Sequence, residues 1–210
     1  MKDVQLILVD PTVALCEAWR EFFADLPRVT IVNAQFTTLT EFDCMVSPAN
    51  SFGLMDGGID AAIIRFFGDK LMHDVQDHII SEYLGEQPVG TSFIIGTGHP
   101  KHRWLAHTPT MRVPMEIGRT DHVYLAMSAL LKAVYHHNRR QEDKITSIAC
   151  SGLGTGTGKV PPREAAYQMA TAYRNVLNPP RYISWSLADE RQQEIRYGGD
   201  FGFQIRPGLR

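Results

Sequence analysis

The sequence predicts an α/β fold in which a mixed sheet carries helices on both faces. Three observations lead there. Short apolar runs of strand length alternate along the chain with longer segments whose apolar residues recur at helical spacing. Two glycine-rich stretches, VSPANSFGLMDGGIDAAI at 46–63 and SGLGTGTGKVPP at 151–162, each follow an apolar run and precede a helical one. The 210 residues, 44% hydrophobic and 21% charged, suffice for a full core and contain no compositional break of the kind that marks a linker. One domain spanning 1–210 is therefore expected.

The elements follow in order. Residues 4–9 (VQLILV) read as a buried strand, and 12–25 as a helix with apolar residues at Val13, Leu15, Ala18, Trp19, Phe22 and Phe23, Thr12 being its candidate N-cap. Strands are expected at 29–33 and 43–47. A helix at 59–67 and another at 69–83, with Leu71, Val75, Ile79 and Ile80 on its apolar stripe, come next. FIIG and WLAHT read as neighbouring strands, 122–138 as a helix, and 145–150 as a buried strand. Pro161-Pro162 opens a helix at 163–177, and 181–187 reads as a last strand. Neither a repeat nor a low-complexity tract is visible.

Composition excludes some functions. A net charge of −2 gives no basic field for nucleic acid, and the local group His136, His137, Arg139 and Arg140 reads first as a solvated helix end. There is no run of about 18 uncharged apolar residues, so no membrane partner is expected. MKDVQLILVDPT lacks the long apolar region and cleavage site of a signal peptide, and a cytoplasmic protein is expected. Cys16, Cys44 and Cys150 have no C-x-x-C spacing and read as packed, reduced thiols. His99, His102 and His107 lie close in sequence, but without an accompanying Cys, Asp or Glu pattern they make a weak case for zinc.

Glycine-rich loops between a strand end and a helix start are where anions bind. The backbone approaches the ligand closely, and the unpaired N–H groups of the first helical turn favour a phosphate. Two such loops suit two phosphates, or a diphosphate and a sugar held between them. The familiar fingerprints fail here. G-x-G-x-x-G counted from Gly154 ends at Lys159, and from Gly152 at Thr157. The P-loop pattern before Gly158-Lys159 has Leu153 at its first glycine and Val160 after the lysine. A nucleophile elbow around Ser151 would need glycines where Ala149 and Leu153 stand.

Taken together, VSPANS, DGGIDAAI and LGTGTGKVP resemble the macrodomain family, the ADP-ribose-binding module, in the right order over roughly residues 29–190. PANSFG-x-MDGGID and PTMRVP (109–114) are similar to a bacterial and phage-associated branch. The resemblance implies a three-layer α/β/α macrodomain that binds ADP-ribose and hydrolyses the ADP-ribosyl linkage of a protein, nucleic acid or small adduct, with no metal or cofactor. Asn50 and Asp60 match the positions of the family's working pair. Chemistry agrees, because a carboxylate can orient or deprotonate a water and an amide can grip ribose hydroxyls. The plainer readings also stand: Asp in a first helical turn is favoured by the dipole alone, and Asn in a loop is commonly an Asx-turn residue.

By the same resemblance, Ala49 and Ser51 belong to the ligand loop, and Gly57, Gly58 and Ile59 offer backbone to one phosphate. Ser151, Gly154, Thr155, Gly156, Thr157 and Gly158 wrap the other phosphate and the distal ribose. Phe52 packs on a ribose or seals the loop. Two departures stand out. The acid that family members place at the adenine end is missing from Ala34-Gln35-Phe36-Thr37, leaving Gln35 or Asp10 as substitutes. Gly158 stands where many hydrolases carry an aromatic residue, which implies a more open pocket and frees Lys159 for a phosphate. A reader without turnover and an ADP-ribose 1″-phosphate phosphatase are the alternatives. Arg112, and the tail YGGDFGFQIRPGLR, have no assigned role.

Overall fold

The computed structural model describes Met1 and residues 3–195. Six strands form one sheet: β1 (Gln5–Val9), β2 (Val29–Val32), β3 (Cys44–Ser47), β4 (Phe93–Gly96), β5 (Trp104–His107) and β6 (Ser147–Cys150), in the spatial order β2-β1-β6-β3-β5-β4. All pairings are parallel except β4 with β5, so the sheet is mixed. The helices are α1 (Val13–Phe22), α2 (Gly58–Phe67), α3 (Lys70–Tyr83), α4 (His122–Arg140), α5 (Pro162–Leu177) and α6 (Trp185–Glu194).

Period-2 alternation in the strands feeds two cores, and this makes the three layers. Leu6, Leu8, Cys44 and Val46 point into one, where they meet Trp19 of α1, Leu130 of α4 and Met169 of α5. Met45 and Leu105 point into the other, under Ile63 of α2 and Val75 of α3. Strands buried on both faces explain the unbroken apolar runs in the sequence. The carboxylate of Asp43 ties the centre together across the chain, with one oxygen accepting Thr146 N–H at 2.6 Å and Ser147 N–H at 3.0 Å.

One expected element is wrong. The segment 181–187 is not a strand, and α6 begins within it at Trp185. Tyr, Ile and Trp favour strands, but Ser184 takes the N-cap position, its hydroxyl accepting Leu187 N–H at 3.2 Å, and helix-forming ADERQQE follows. Tyr182 and Ile183 are left 78% and 89% exposed. A 3₁₀ turn at Phe36–Thr38 carries no signal strong enough to have been read in advance. Thr12 occupies the N-cap of α1 without a side-chain cap bond, and its own N–H donates to Asp10 Oδ1 at 2.9 Å. The tail 197–210 lies outside the described residues.

Candidate active site at the ends of β1, β3 and β6

Buried β3 runs directly into Pro48-Ala49-Asn50-Ser51. Asn50 is 6% exposed, and its side chain staples the loop: Oδ1 accepts Phe52 N–H at 3.1 Å and Leu54 N–H at 3.3 Å, while Nδ2 donates to Leu54 O at 2.8 Å. The Asx-turn reading therefore holds, with one amide N–H left over. The outer strand of this staple is a parallel bridge between Asn50 and Met111, reinforced by Ser51 N–H bonds of 3.1 Å to Met111 O and to Arg112 O.

The chain then enters α2 through Gly57, its extended N-cap, and Gly58, whose φ of +54° is the left-handed conformation that glycine tolerates. Asp60 follows in the first turn and lies beneath the helix, 8% exposed, where Ser47 Oγ–H donates to its Oδ1 at 2.6 Å. Burial pushes the Asp60 carboxyl up to about 7, against the opposing pull of the Ser47 bond. The second carboxylate oxygen has no protein partner among the described residues.

The second loop leaves β6 beside the end of β1. Asp10 joins them, its Oδ2 accepting Gly152 N–H at 3.2 Å. Gly154 has φ +70°, and the turn closes through Val160 N–H to Gly154 O at 3.0 Å. Thr155 Oγ donates to Gly152 O at 3.2 Å, so its hydroxyl serves the turn.

The two loops meet, and the space between them is open. One cavity of about 130 Å³ is walled by Ala49, Asn50, Asp60, Gly154, Thr157 and Gly158, among others. A second, of about 430 Å³, has Asp10, Gln35, Arg65, Ser151 and Thr155 in its wall. Gly58, Ile59 and Gly156 line both, and Gly57 lines the first, so the cavities form one groove straddling the N-terminus of α2. Ser51 lines neither; it is buried under the loop, its carbonyl accepting Gln87 N–H at 2.8 Å. Sequence reasoning missed Thr110, Met111 and Pro114, which wall the smaller cavity. The PTMRVP motif carries the signal for this wall. Arg112 lines neither cavity, pairs with Glu86 through two hydrogen bonds, and lies 5.7 Å over the ring of Phe52, which also lines neither.

Gly158 has a different meaning from the one expected. A Cβ there would come within 2.5 Å of Gly154 O and 2.7 Å of Ile117 Cγ1. The position is glycine because the loop folds back on itself over buried Ile117, whose N–H donates to Gly158 O at 2.9 Å. Lys159 turns outward to Glu116, 3.0 Å away, and lines neither cavity.

His102 and His107 each use Nδ1 in a protein contact, while His107 Nε2 is buried without a partner among the described residues. His102 Nδ1 lies 2.8 Å from Phe42 O with its ring stacked on Phe42 at 3.8 Å, and His107 Nδ1 lies 2.6 Å from Gln87 Oε1. Full burial holds His107 down at about 3. Cys16, Cys44 and Cys150 are buried free thiols, and burial raises the pKa of each.

The family model "Macro domain" matches residues 46–169. An uncharacterised protein from Pyrobaculum aerophilum is 30% identical over 164 residues, covering 78% of this chain and 84% of the relative. An O-acetyl-ADP-ribose deacetylase from Pantoea vagans is 28% identical over 143 residues, covering 67% and 78%. Among solved structures, the Oceanobacillus iheyensis macrodomain with ADP superposes with a TM-score of 0.55 at 24% identity over 66% of this chain and 70% of that one. The macrodomain of Mycobacterium tuberculosis DarG does so at 0.54 and 18%, over 65% and 84%.

Proposed function

The chain belongs to the macro domain family, and from that premise we propose that the groove binds ADP-ribose and that the protein hydrolyses the bond joining ADP-ribose to a target. The observation that carries the reading is Asp60. A carboxylate at the floor of the smaller cavity, fixed by Ser47 and held near neutrality by burial, is a general base poised for work at physiological pH. The solved macrodomain with ADP and the deacetylase named for O-acetyl-ADP-ribose point to the same ligand class.

In this reading the diphosphate crosses the N-terminus of α2 between the two glycine loops, where backbone N–H groups and the helix dipole meet negative charge. The distal ribose enters the smaller cavity. A water bound to the free oxygen of Asp60 attacks the anomeric carbon of that ribose. Its proton passes to Asp60 as the new C–O bond forms, the bond to the target breaks, and the linking atom leaves with the electron pair and takes a proton from solvent. Asn50 contributes its remaining N–H to a ribose hydroxyl, and its main task is to hold the loop that fixes the reacting carbon. The contact of Lys159 with Glu116, outside both cavities, supports the hydrolase over a phosphatase that would use that lysine.

Calorimetry with ADP-ribose, paired with turnover of mono-ADP-ribosylated protein and nucleic acid, tests the reading. Wild type binds and turns over; Asp60→Asn binds and does not. Binding by wild type without turnover of any conjugate leaves a reader module in place of the enzyme, and no binding at millimolar ADP-ribose removes the ligand assignment itself.

A further inference from the structure

The larger cavity needs a surface against which a purine can lie, and among the described residues no aromatic ring offers one. Phe36 is the ring in its wall, but Phe36 is 2% exposed and set edge-on against Phe66 at 5.6 Å. Leu15 is 1% exposed. Among the described residues, the flat cation that lines the cavity is the guanidinium of Arg65. Ile59, Ala62 and Arg65, spaced three residues apart on α2, form one stripe along the cavity wall. Arg65 is exposed and is the one cation lining this cavity among the described residues, and its guanidinium has no hydrogen bond, ion pair or ring contact with them.

The hydrogen-bonding groups divide in the same way. Each Asp10 oxygen already accepts a backbone N–H, from Thr12 and from Gly152, so that carboxylate braces β1 against the second loop. Gln35 is exposed and lines the same cavity, and its side-chain amide has no protein partner among the described residues.

Resting on the ADP-ribose reading above, we propose that Arg65 is a specificity-determining residue: its guanidinium plane stacks on the purine face of the ligand while the Gln35 amide meets the purine edge. Arg suits this role and Lys does not, because the delocalised planar cation stacks on an aromatic face whereas an ammonium acts as a point charge.

The experiment compares wild type, Arg65→Ala and Arg65→Lys by calorimetry with ADP-ribose and with ribose 5-diphosphate, which keeps the phosphates and lacks the base. Arg65→Ala is expected to weaken ADP-ribose about fivefold, Arg65→Lys nearly as much, and neither to change the affinity for ribose 5-diphosphate by more than twofold. Thermal melts within a degree or two of wild type exclude misfolding, as expected for an exposed, unpartnered side chain. If Arg65→Lys retains full affinity for ADP-ribose, or if both ligands weaken equally, Arg65 acts as a charge on the phosphates and the proposal is wrong. Unchanged ADP-ribose affinity in Arg65→Ala also overturns it and leaves the parent reading standing; a wild type that does not bind ADP-ribose ends both.

Discussion

Replacing Asp60 by Asn should remove a loss of stability that wild type suffers between pH 5 and pH 8, while abolishing turnover. In the unfolded chain the carboxyl ionises around 3.8, and in the folded protein around 7, because burial disfavours the charge. The folded state therefore holds a proton that the unfolded state has already lost. The stability associated with it is fully present below pH 3.8 and is lost as pH rises through 7. At about 1.4 kcal/mol per pH unit, wild type loses on the order of 3 kcal/mol between pH 5 and pH 8 that the non-titrating amide does not lose. Ser47 Oγ–H still donates to the amide oxygen, and any fixed cost of the buried NH₂ cancels in the pH difference. The advantage of Asp60→Asn over wild type should thus widen by about 6 °C or more in thermal midpoint from pH 5 to pH 8. Parallel melts of the two proteins across that range supply the measurement. A gap that stays constant or narrows means that Asp60 is not a buried carboxyl of raised pKa, and the argument for a poised base goes with it.

The same titration predicts that turnover of an ADP-ribosylated substrate rises about tenfold per pH unit below pH 7 and levels above it, since only ionised Asp60 accepts a proton; a flat profile from pH 5 to pH 8 contradicts that. His107 has the opposite sign. Its folded pKa of about 3 lies below the ordinary 6.5, so its contribution is present above pH 6.5 and lost as pH falls towards 3, and denaturant titrations of His107→Leu should show a flatter acid limb than wild type. Gly158→Ala should cost about 1–3 kcal/mol, read as a fall in denaturation midpoint, because the added methyl meets the backbone oxygen of Gly154. Gly57→Val should fold normally, since nothing lies within 4 Å of a Cβ there and its φ is −132°, yet lose most ADP-ribose affinity in calorimetry by filling the groove; unimpaired binding would move the ligand elsewhere.

The elements that bear glycines or strict periodicity were readable in advance. Buried β3 and β6, the helix starts at Gly58 and Pro162, and both loops follow from local chemistry: the conformational freedom of glycine, the fixed φ of proline and the apolar runs of doubly covered strands. The C-terminal segment was misread because Tyr182, Ile183 and Trp185 are apolar and β-favouring, and periodicity over so few residues does not reveal that a serine cap will win. Asp60 and Asn50 are legible as a pair with separate tasks, but not the loop-stapling bonds that occupy most of the Asn50 amide. The wall contributed by Thr110, Met111 and Pro114 was missed because those residues reach the groove only through the bridge between Asn50 and Met111, sixty-one positions apart.

Sequence alone determined which residue types stand at strand ends and how they are spaced, since backbone freedom and helix polarity are properties of a few neighbouring residues. Tertiary structure alone decided what those residues face. It buries Asp60 against Ser47 and so sets its proton, folds Gly158 onto Ile117, turns Lys159 out to Glu116, and leaves Arg65 unpaired over the larger cavity. Desolvation and steric contact depend on segments distant in the chain, and local pattern carries no record of them.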